Sequence, residues 1–585
     1  MTGSGAELDP VTLTLVQNRL DHISLQMGWV MTRTARSPIF SQAHDFSCFI
    51  TDPAGYILSQ ADGLPIHTGG GGFAVRALLD SFSDDIGEGD AFVLNDPYVA
   101  GGNHLPDWVI SRPVFADGEL VAFCSNRGHQ SDIGGGAAGS YNSAATEIFQ
   151  EGLRLPPVRL VERGKTREDV WRLLLLNSRT PNLMDGDLRA MLGSTRIGME
   201  RLAELALELG GETKAYFGGI LDIGERRMRV EIAALPDGVY HGSDLTDNDC
   251  FEARDYVIRV AVTVSGDHMT VDFTGTDDQM KGFKNSSIAN TYSAVYTALA
   301  SFLSPDLPGN EGTFRPVEII MPEGSLVNPR PPAPMTMNTI IVATEIIHSV
   351  WQALGQFDPA RSCAGWGKNS VPTMSGRDDR DMPFVMYHWA GAIGAGAVDG
   401  RDGFNANGGL ISLGALYLPD LELYEQAYPV RFIRQQFRID AGGPGQYRGG
   451  TGIDYAVEVD NPAILSLRGE GLYNESSYGV GGGFAGQAGH MQITEQGGAA
   501  IEPEKYGILP VGPMTLELKA AGGGGWGDPL RRDPYLVLRD VRDEMVSRRA
   551  AEEQYGVVMD ESGRDIDMAA TGRLRSRLSG ERNRG

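Results

Sequence analysis

The stretch from Gly101 to Gly135 reads GGNHLPDWVISRPVFADGELVAFCSNRGHQSDIGG. Two strand-like runs flank Ala116-Asp117-Gly118, and an Asp-Gly pair between such runs is a tight-turn signal. In an antiparallel hairpin, residues equidistant from the turn face each other. Centring the turn on Asp117-Gly118 sets Asp107 opposite Gly128 and His104 opposite Ser131. His129 then falls within about 5–8 Å of both His104 and Asp107. The spacing between the two histidines is what a hairpin needs to close them together at its open end.

The same device occurs upstream, in DFSCFITDPAGYILSQADGLPIHTGGGG, with its turn at Asp52-Pro53-Ala54-Gly55. Centring on Ala54-Gly55 sets Asp45 opposite Leu64, close to His67, so this open end carries His44, Asp45 and His67. If the two ends meet, imidazoles and carboxylates cluster at one rim. Mixed His/Asp ligation suits zinc, manganese or iron better than calcium or magnesium, which prefer all-oxygen shells. The leading ligand set is Asp45, His104, Asp107 and His129. A second reading fits the spacing equally well: polar residues in glycine-rich loops, hydrogen-bonded to backbone. His67 and Asp132 are candidates for outer contacts or substrate-facing catalytic groups, with structural roles as their ordinary alternative. Asp132-Ile133-Gly134-Gly135-Gly136 reads either as an anion-binding nest or as a plain turn.

The surrounding 585 residues carry a formal charge of -26. Phosphates and anionic membrane surfaces are repelled by such a chain, so neither nucleic acid nor membrane is an expected partner. Four dispersed cysteines without a CxxC pair argue against a disulfide scaffold or cysteine zinc site and fit a reducing cytoplasm. The start, MTGSGAELDPVTLTLVQNRL, is not expected to be a signal peptide, and no apolar run reaches membrane-spanning length. The 77 glycines cluster in short runs such as Gly69–Gly72 and Gly522–Gly525, which points to tight turns or close backbone approach.

Asp9-Pro10 opens a helix with Leu13, Val16, Leu20, Ile23, Met27, Val30 and Met31 on one face, ending before Ser37-Pro38. Residues 147–210 read as helical, 259–273 as a hairpin around Gly266-Asp267, 286–302 as a buried helix and 430–519 as β-rich. The charged tail is helical, with frayed final residues. The fold class is α+β, multi-domain, with mostly antiparallel or mixed sheets and helices. The expected divisions are 1–215 with the metal-site hairpins, 216–420, a β-rich 421–525 and a helical tail 526–585. A nucleotide loop is missing: ERGKT at Glu162–Thr166 has Arg159 where a P-loop needs glycine. GxSxG, HExxH and GxGxxG in context are missing too.

Several motifs then follow in a fixed order. They are DPVTLTLVQNRL with TRTARSP, GLPIHTGG, LNDPYVAGGNHLPDW, NRGHQSDIGG, TEIFQEGLRLPPVRL, GTFRPVEIIMPEGSLVNPRPPAP, YEQAYPVRF, DAGGPGQYRGGTG and GGGGWGDPLRRDPYLVLRDVRDEMVS. Together they resemble the hydantoinase B/oxoprolinase family. That family includes B subunits of ATP-dependent N-methylhydantoinases, a caprolactam lactamase, the C-terminal half of 5-oxoprolinase, and acetone and acetophenone carboxylase subunits. The resemblance implies a divalent metal on Asp45, His104, Asp107 and His129. It also implies that ATP and magnesium are bound by a separate hydantoinase A-like subunit, in an α2β2 or larger heteromer acting on a small molecule. Hydrolysis of a cyclic amide is the first expectation and ketone carboxylation the second; a non-catalytic scaffold for the A-type subunit is the third. The chain departs from the hydrolase pattern at His129-Gln130, where a second histidine is common. It departs again at PMTMNTIIVATE, where a GGNVETS-like segment is common, and over Cys363–Gly414.

Overall fold

The computed structural model describes residues 8–67 and 69–582, so the frayed end expected at residues 583–585 lies outside the described residues. The chain divides into two compact units, one up to Ala353 with Ala415–Tyr417, the other Leu354–Gly414 with Leu418 onward. Among the described residues, no helix is long and apolar enough to cross a membrane, and none of the four cysteines forms a disulfide.

The first unit opens with α1 (Pro10–Thr34), whose N-cap Asp9 accepts from Val11 and Thr12. Its apolar stripe is buried except at Val30, which is half-buried, with Leu20, Met27 and Met31 at 0 % exposure; each such side chain stabilises by about 2 kcal/mol. The strands that follow are β1 (Phe46–Thr51), β2 (Ile57–Gly63), β3 (Ala91–Leu94), β4 (Asp107–Ala116), β5 (Glu119–His129), β6 (Val158–Glu162) and β7 (Lys165–Thr166). They form one sheet in the order β2-β1-β5-β4-β3-β6-β7. Helix α2 (Gly71–Phe82) covers one face, where Val75 and Leu78 pack against Phe49, Phe92, Val109 and Phe123. The other face carries α1 and α4 (Pro181–Leu209), with α3 (Glu168–Leu176) preceding α4. A second sheet in this unit has β8 (Gly238–Asn248), β9 (Ala253–Ser265), β10 (His268–Asp272) and β11 (Val317–Ile320), with β10 and β11 parallel.

Both predicted hairpins form, and both depart from the symmetric register: in the first, Ser47 stands opposite Gly63, one residue off, with irregularities between Cys48 and Thr51. The β4–β5 register is one residue off the symmetric reading, because a bulge between Val114 and Phe115 leaves an extra residue on β5. Asp107 therefore stands directly opposite His129 instead of Gly128. Residues 147–210 are not helical throughout: 158–166 form β6 and β7, and β6 is recruited by β3 across the sheet, a pairing that local periodicity does not reveal. The hairpins lie side by side because β1 pairs with β5, Phe46 against Gly128.

The second unit holds a four-stranded and a five-stranded sheet around a shared core that includes Met374, Met386, Leu465, Val457, Ile493 and Leu516. Its glycine-rich 522–525 segment passes other loops so closely that a Cβ on Gly524 would stand 1.9 Å from the Tyr478 carbonyl oxygen.

Candidate metal centre

Asp107 begins β4 and His129 ends β5, so the hairpin's own pairing puts them face to face. His129 Nδ1 is 3.1 Å from Asp107 Oδ1. His104 comes three residues earlier, after Gly101-Gly102-Asn103, and its Nε2 lies 2.9 Å from the same oxygen. Gly102 lets this loop fold tightly, since a Cβ there would stand 1.9 Å from the Asn95 carbonyl oxygen. The His104 and His129 rings are 5.1 Å apart, and Tyr141 stacks 5.9 Å from His129. His67, in a one-turn helix after β2, places Nε2 3.2 Å from Asp107 Oδ2.

The tautomer of His104 follows from its other nitrogen. Nδ1 is 2.5 Å from the Thr336 carbonyl oxygen, which can only accept, so Nδ1 carries the proton and Nε2 the lone pair. Thr336 is itself fixed by Glu151, whose buried carboxylate accepts from Met335 N at 2.9 Å and Thr336 N at 2.7 Å. Burial pushes the Glu151 carboxyl up to about 7. Asn103 is a second anchor. Its side chain accepts from Arg127 at 2.8 Å, and its carbonyl oxygen accepts from Ser287 and Asn338. His67 Nδ1 is held 2.8 Å from Ser47 Oγ.

Two buried atoms test whether a cation fits. His104 Nε2 and Asp107 Oδ2 make no hydrogen bond despite their close neighbours. A lone pair facing a carboxylate at 2.9 Å is repelled unless a proton or a metal ion lies between them, and the buried donor set offers a place for either. The ligating atoms of His104, Asp107 and His129 all lie within 4.8 Å of one another. Nitrogen and oxygen donors in this proportion suit zinc or a similar transition ion, so the residues fit such a metal.

The charges reinforce one another. Burial raises the Asp107 carboxyl, but the His104 and His67 imidazoles outweigh it and hold its pKa well below the usual range. Burial disfavours the charged form of His104, and the Asp107 carboxylate overcomes this and raises its pKa. For His67 burial wins and the pKa falls. Burial pushes Asp45 up to about 6, with the His129 charge opposing and the Asp107 charge adding.

Asp45 adjoins the cluster through its carbonyl oxygen, which accepts from His129 N at 3.1 Å. Its carboxylate is coupled electrostatically to His129, Asp107 and His104 but is not one of the three converging groups. His44 turns away: it has φ +59°, with Thr32 and Tyr417 as neighbours. Asp132 clamps its loop. Oδ1 accepts from Gly134 N and Arg179 N, and Oδ2 from Gly139 N and Arg179 Nη1, at 2.8–3.1 Å. Of the amides at 132–136, Gly134 N donates to Asp132, Ile133 N to Ser140 Oγ and Gly136 N to the Gln150 carbonyl oxygen, so they serve different acceptors and form a turn rather than an anion nest. Gln130 lies on the opposite face of β5 from His129, with Nε2 near Gly128 O and Met191 Sδ. Glu151, Thr336 and Asn103 escaped the sequence reading. Glu151 and Met335 are 184 residues apart, and no short-range pattern links them.

Residues 9–529 match the family model described as hydantoinase B/oxoprolinase. The chain is 35 % identical to the caprolactamase subunit beta of Pseudomonas jessenii, over 96 % of this chain and 98 % of that one. The crystal structure of the ATP-dependent caprolactamase from the same organism superposes with a TM-score of 0.89 at 34 % identity, covering 98 % of this chain and 100 % of that one. A nucleotide-free acetone carboxylase superposes with a TM-score of 0.87 at 21 % identity, covering 98 % and 83 %, a likeness of fold. With these matches spanning nearly its whole length, the chain belongs to the hydantoinase B/oxoprolinase family.

Proposed function

We propose that this chain is the B-type subunit of an ATP-dependent heteromeric enzyme and that it opens a cyclic amide at the His104, Asp107 and His129 cluster. The observation that carries this reading is the buried, unbonded His104 Nε2 aimed at Asp107, on a chain similar to a caprolactamase beta subunit. An amide oxygen is a poor leaving group, and this chain has no recognisable nucleotide loop. An A-type subunit would therefore transfer the phosphoryl group of ATP to the substrate oxygen. Water then attacks the activated carbon, the ring C–N bond breaks with a proton passing to nitrogen to leave an acyl phosphate, and a second water hydrolyses that to the carboxylate and free phosphate.

His104, Asp107 and His129 would hold a divalent metal, with Asp45 as the fourth ligand. The ion would supply Lewis acidity and a lowered pKa for water. The chain's own residues do the rest. Thr336 and Glu151 keep the His104 lone pair aimed inward, the role an outer-shell partner plays for a ligating imidazole. Neutral His67, oriented by Ser47, stands 3.2 Å from Asp107 beside the reacting centre.

Reconstitution with an A-type subunit tests the reading. ADP release should depend on lactams or hydantoins and not on bicarbonate. His104→Ala with Asp107→Ala should lose at least the roughly 10- to 100-fold that an outer-shell change costs, together with stoichiometric metal by elemental analysis. ADP release that requires a ketone and bicarbonate would overturn hydrolysis in favour of carboxylation. Full activity of the double variant would leave the chain a scaffold.

A further inference from the structure

Arg112 lies five residues along β4 from Asp107, about 17 Å away and on the opposite face of the sheet. It is 8 % exposed, and its Nε has no hydrogen-bond partner. Among the described residues no carboxylate lies within ion-pair distance of its guanidinium. Burying the Nε donor without a partner is costly, while the terminal guanidinium nitrogens are not sealed off and face the cleft. Arg112 lines a cleft of about 420 Å³ between β4, the β6–β7 turn, α3 and α4.

The cleft gathers charge of one sign. Arg189 and Arg196, both on α4, line it with Arg112, against a single carboxylate, Glu168. Arg189 is paired with Asp185 at 2.9 Å and stacks 5.0 Å from the Trp171 ring. Arg196 has only a loose contact to Glu200 at 3.8 Å. Three guanidinium groups on one cleft stand out on a chain of charge -26. Burial, and after it the Arg196 charge, lower the Arg112 pKa although the more distant Glu200 and Asp90 charges raise it, so an arriving anion would add to a compensation that is incomplete. The ERGKT turn, which fails as a nucleotide loop, contributes Gly164 and Thr166 to the lining. Gly164 has φ +81° and open space where a Cβ would stand.

We propose that this cleft binds a small phosphorylated molecule, its phosphoryl group held by Arg112 with Arg189 and Arg196. The guanidinium fork matches phosphate oxygens two at a time. The volume lies in the range of small-molecule sites and exceeds that of a bare phosphate ion. Trp171 and Leu192 supply an apolar wall for an organic body. The site is separate from the metal cluster and does not depend on the reaction proposed there.

Calorimetric titration of the full chain with inorganic phosphate and with AMP, at constant ionic strength and with acetate as a comparison, tests this. Saturable binding is expected, tightest for AMP. Arg112→Met should weaken it by at least about tenfold, with Arg112→Lys partly restoring it, because charge-assisted bonds are lost and regained. Arg201→Met, which removes an exposed arginine paired to Glu204 on the same helix, should change nothing. Without ligand, Arg112→Met should unfold at the same or a higher temperature than the parent, since it removes a buried Nε donor that has no partner. If Arg112→Met does not fold, Arg189→Gln with Arg196→Gln, both exposed, should still weaken AMP binding. Absence of saturable binding by either anion, or unchanged affinity in these variants, overturns the proposal. So does loss of assembly with an A-type subunit on Arg112→Glu when neither anion binds, which would make the cleft a docking surface.

Discussion

His104 and His388 are both fully buried, and their imidazoles respond in opposite directions. His104 faces Asp107, whose charge overcomes the cost of burial and raises the pKa. His388 has no such neighbour. Burial, and after it the Arg468 charge, drop its pKa to about 3, and the neutral ring lies 2.5 Å from the Tyr455 hydroxyl through Nδ1. Because the folded pKa lies below the unfolded value near 6.5, His388 has no effect on stability above pH 6.5. Below it the unfolded chain takes up a proton that the folded chain refuses. Stability then falls with pH, by about 2 kcal/mol at pH 5. His388→Gln, whose amide oxygen can still accept from Tyr455, should remove that loss. Urea unfolding at pH 7.5 and pH 5 reads the difference; parallel pH dependences of parent and variant would show that His388 does not titrate in this way.

At the scale of elements, the two hairpins carried most of what was legible. Their turns are short-range signals, so pairing within each hairpin could be read from spacing. The bulge at Val114 and the pairing of β1 with β5 could not, because each is set by packing across the sheet. The same limit hid the loop around Thr336, which reaches the cluster only through tertiary contacts with Glu151 and Asn103. Glycines within this segment differ sharply. Gly102 is pressed against the Asn95 carbonyl, whereas Gly118 has nothing within 4 Å of its missing Cβ and only its φ of +79° to constrain it. Gly102→Ala should therefore cost about 1–3 kcal/mol by overpacking and should displace His104, lowering metal content. Gly118→Ala should cost about 1 kcal/mol or less, from backbone conformation alone, and leave metal content intact. Thermal unfolding with elemental analysis distinguishes them. Equal metal content in both variants would mean that the Gly102 loop does not position His104.

Over the whole molecule, the ordered motifs made the family legible, because each is a local pattern, while the compactness of a unit depends on contacts far apart in sequence. Charge, by contrast, needs no structure. With 76 acidic against 50 basic residues, repulsion acts across the entire surface. Exposed pairs such as Arg19–Glu208 oppose it only weakly, each worth about 0–1 kcal/mol. The buried Arg532, 2.6 Å from Asp402 and 2.7 Å from Asp540, is shielded from added salt. Raising sodium chloride shortens the screening length from about 30 Å at 0.01 M to about 10 Å at 0.1 M, which weakens long-range repulsion more than contacts at 3 Å. The melting temperature at pH 7.5 should therefore rise over this range by a few degrees. Near the sequence pI of 4.8 the net charge vanishes, and the salt effect should collapse with it. Chloride is the suitable anion, because phosphate would be drawn to the Arg112 cleft and confound the reading. A melting temperature that falls with salt at pH 7.5, or rises equally at both pH values, would mean that local ion pairs rather than net charge govern the response.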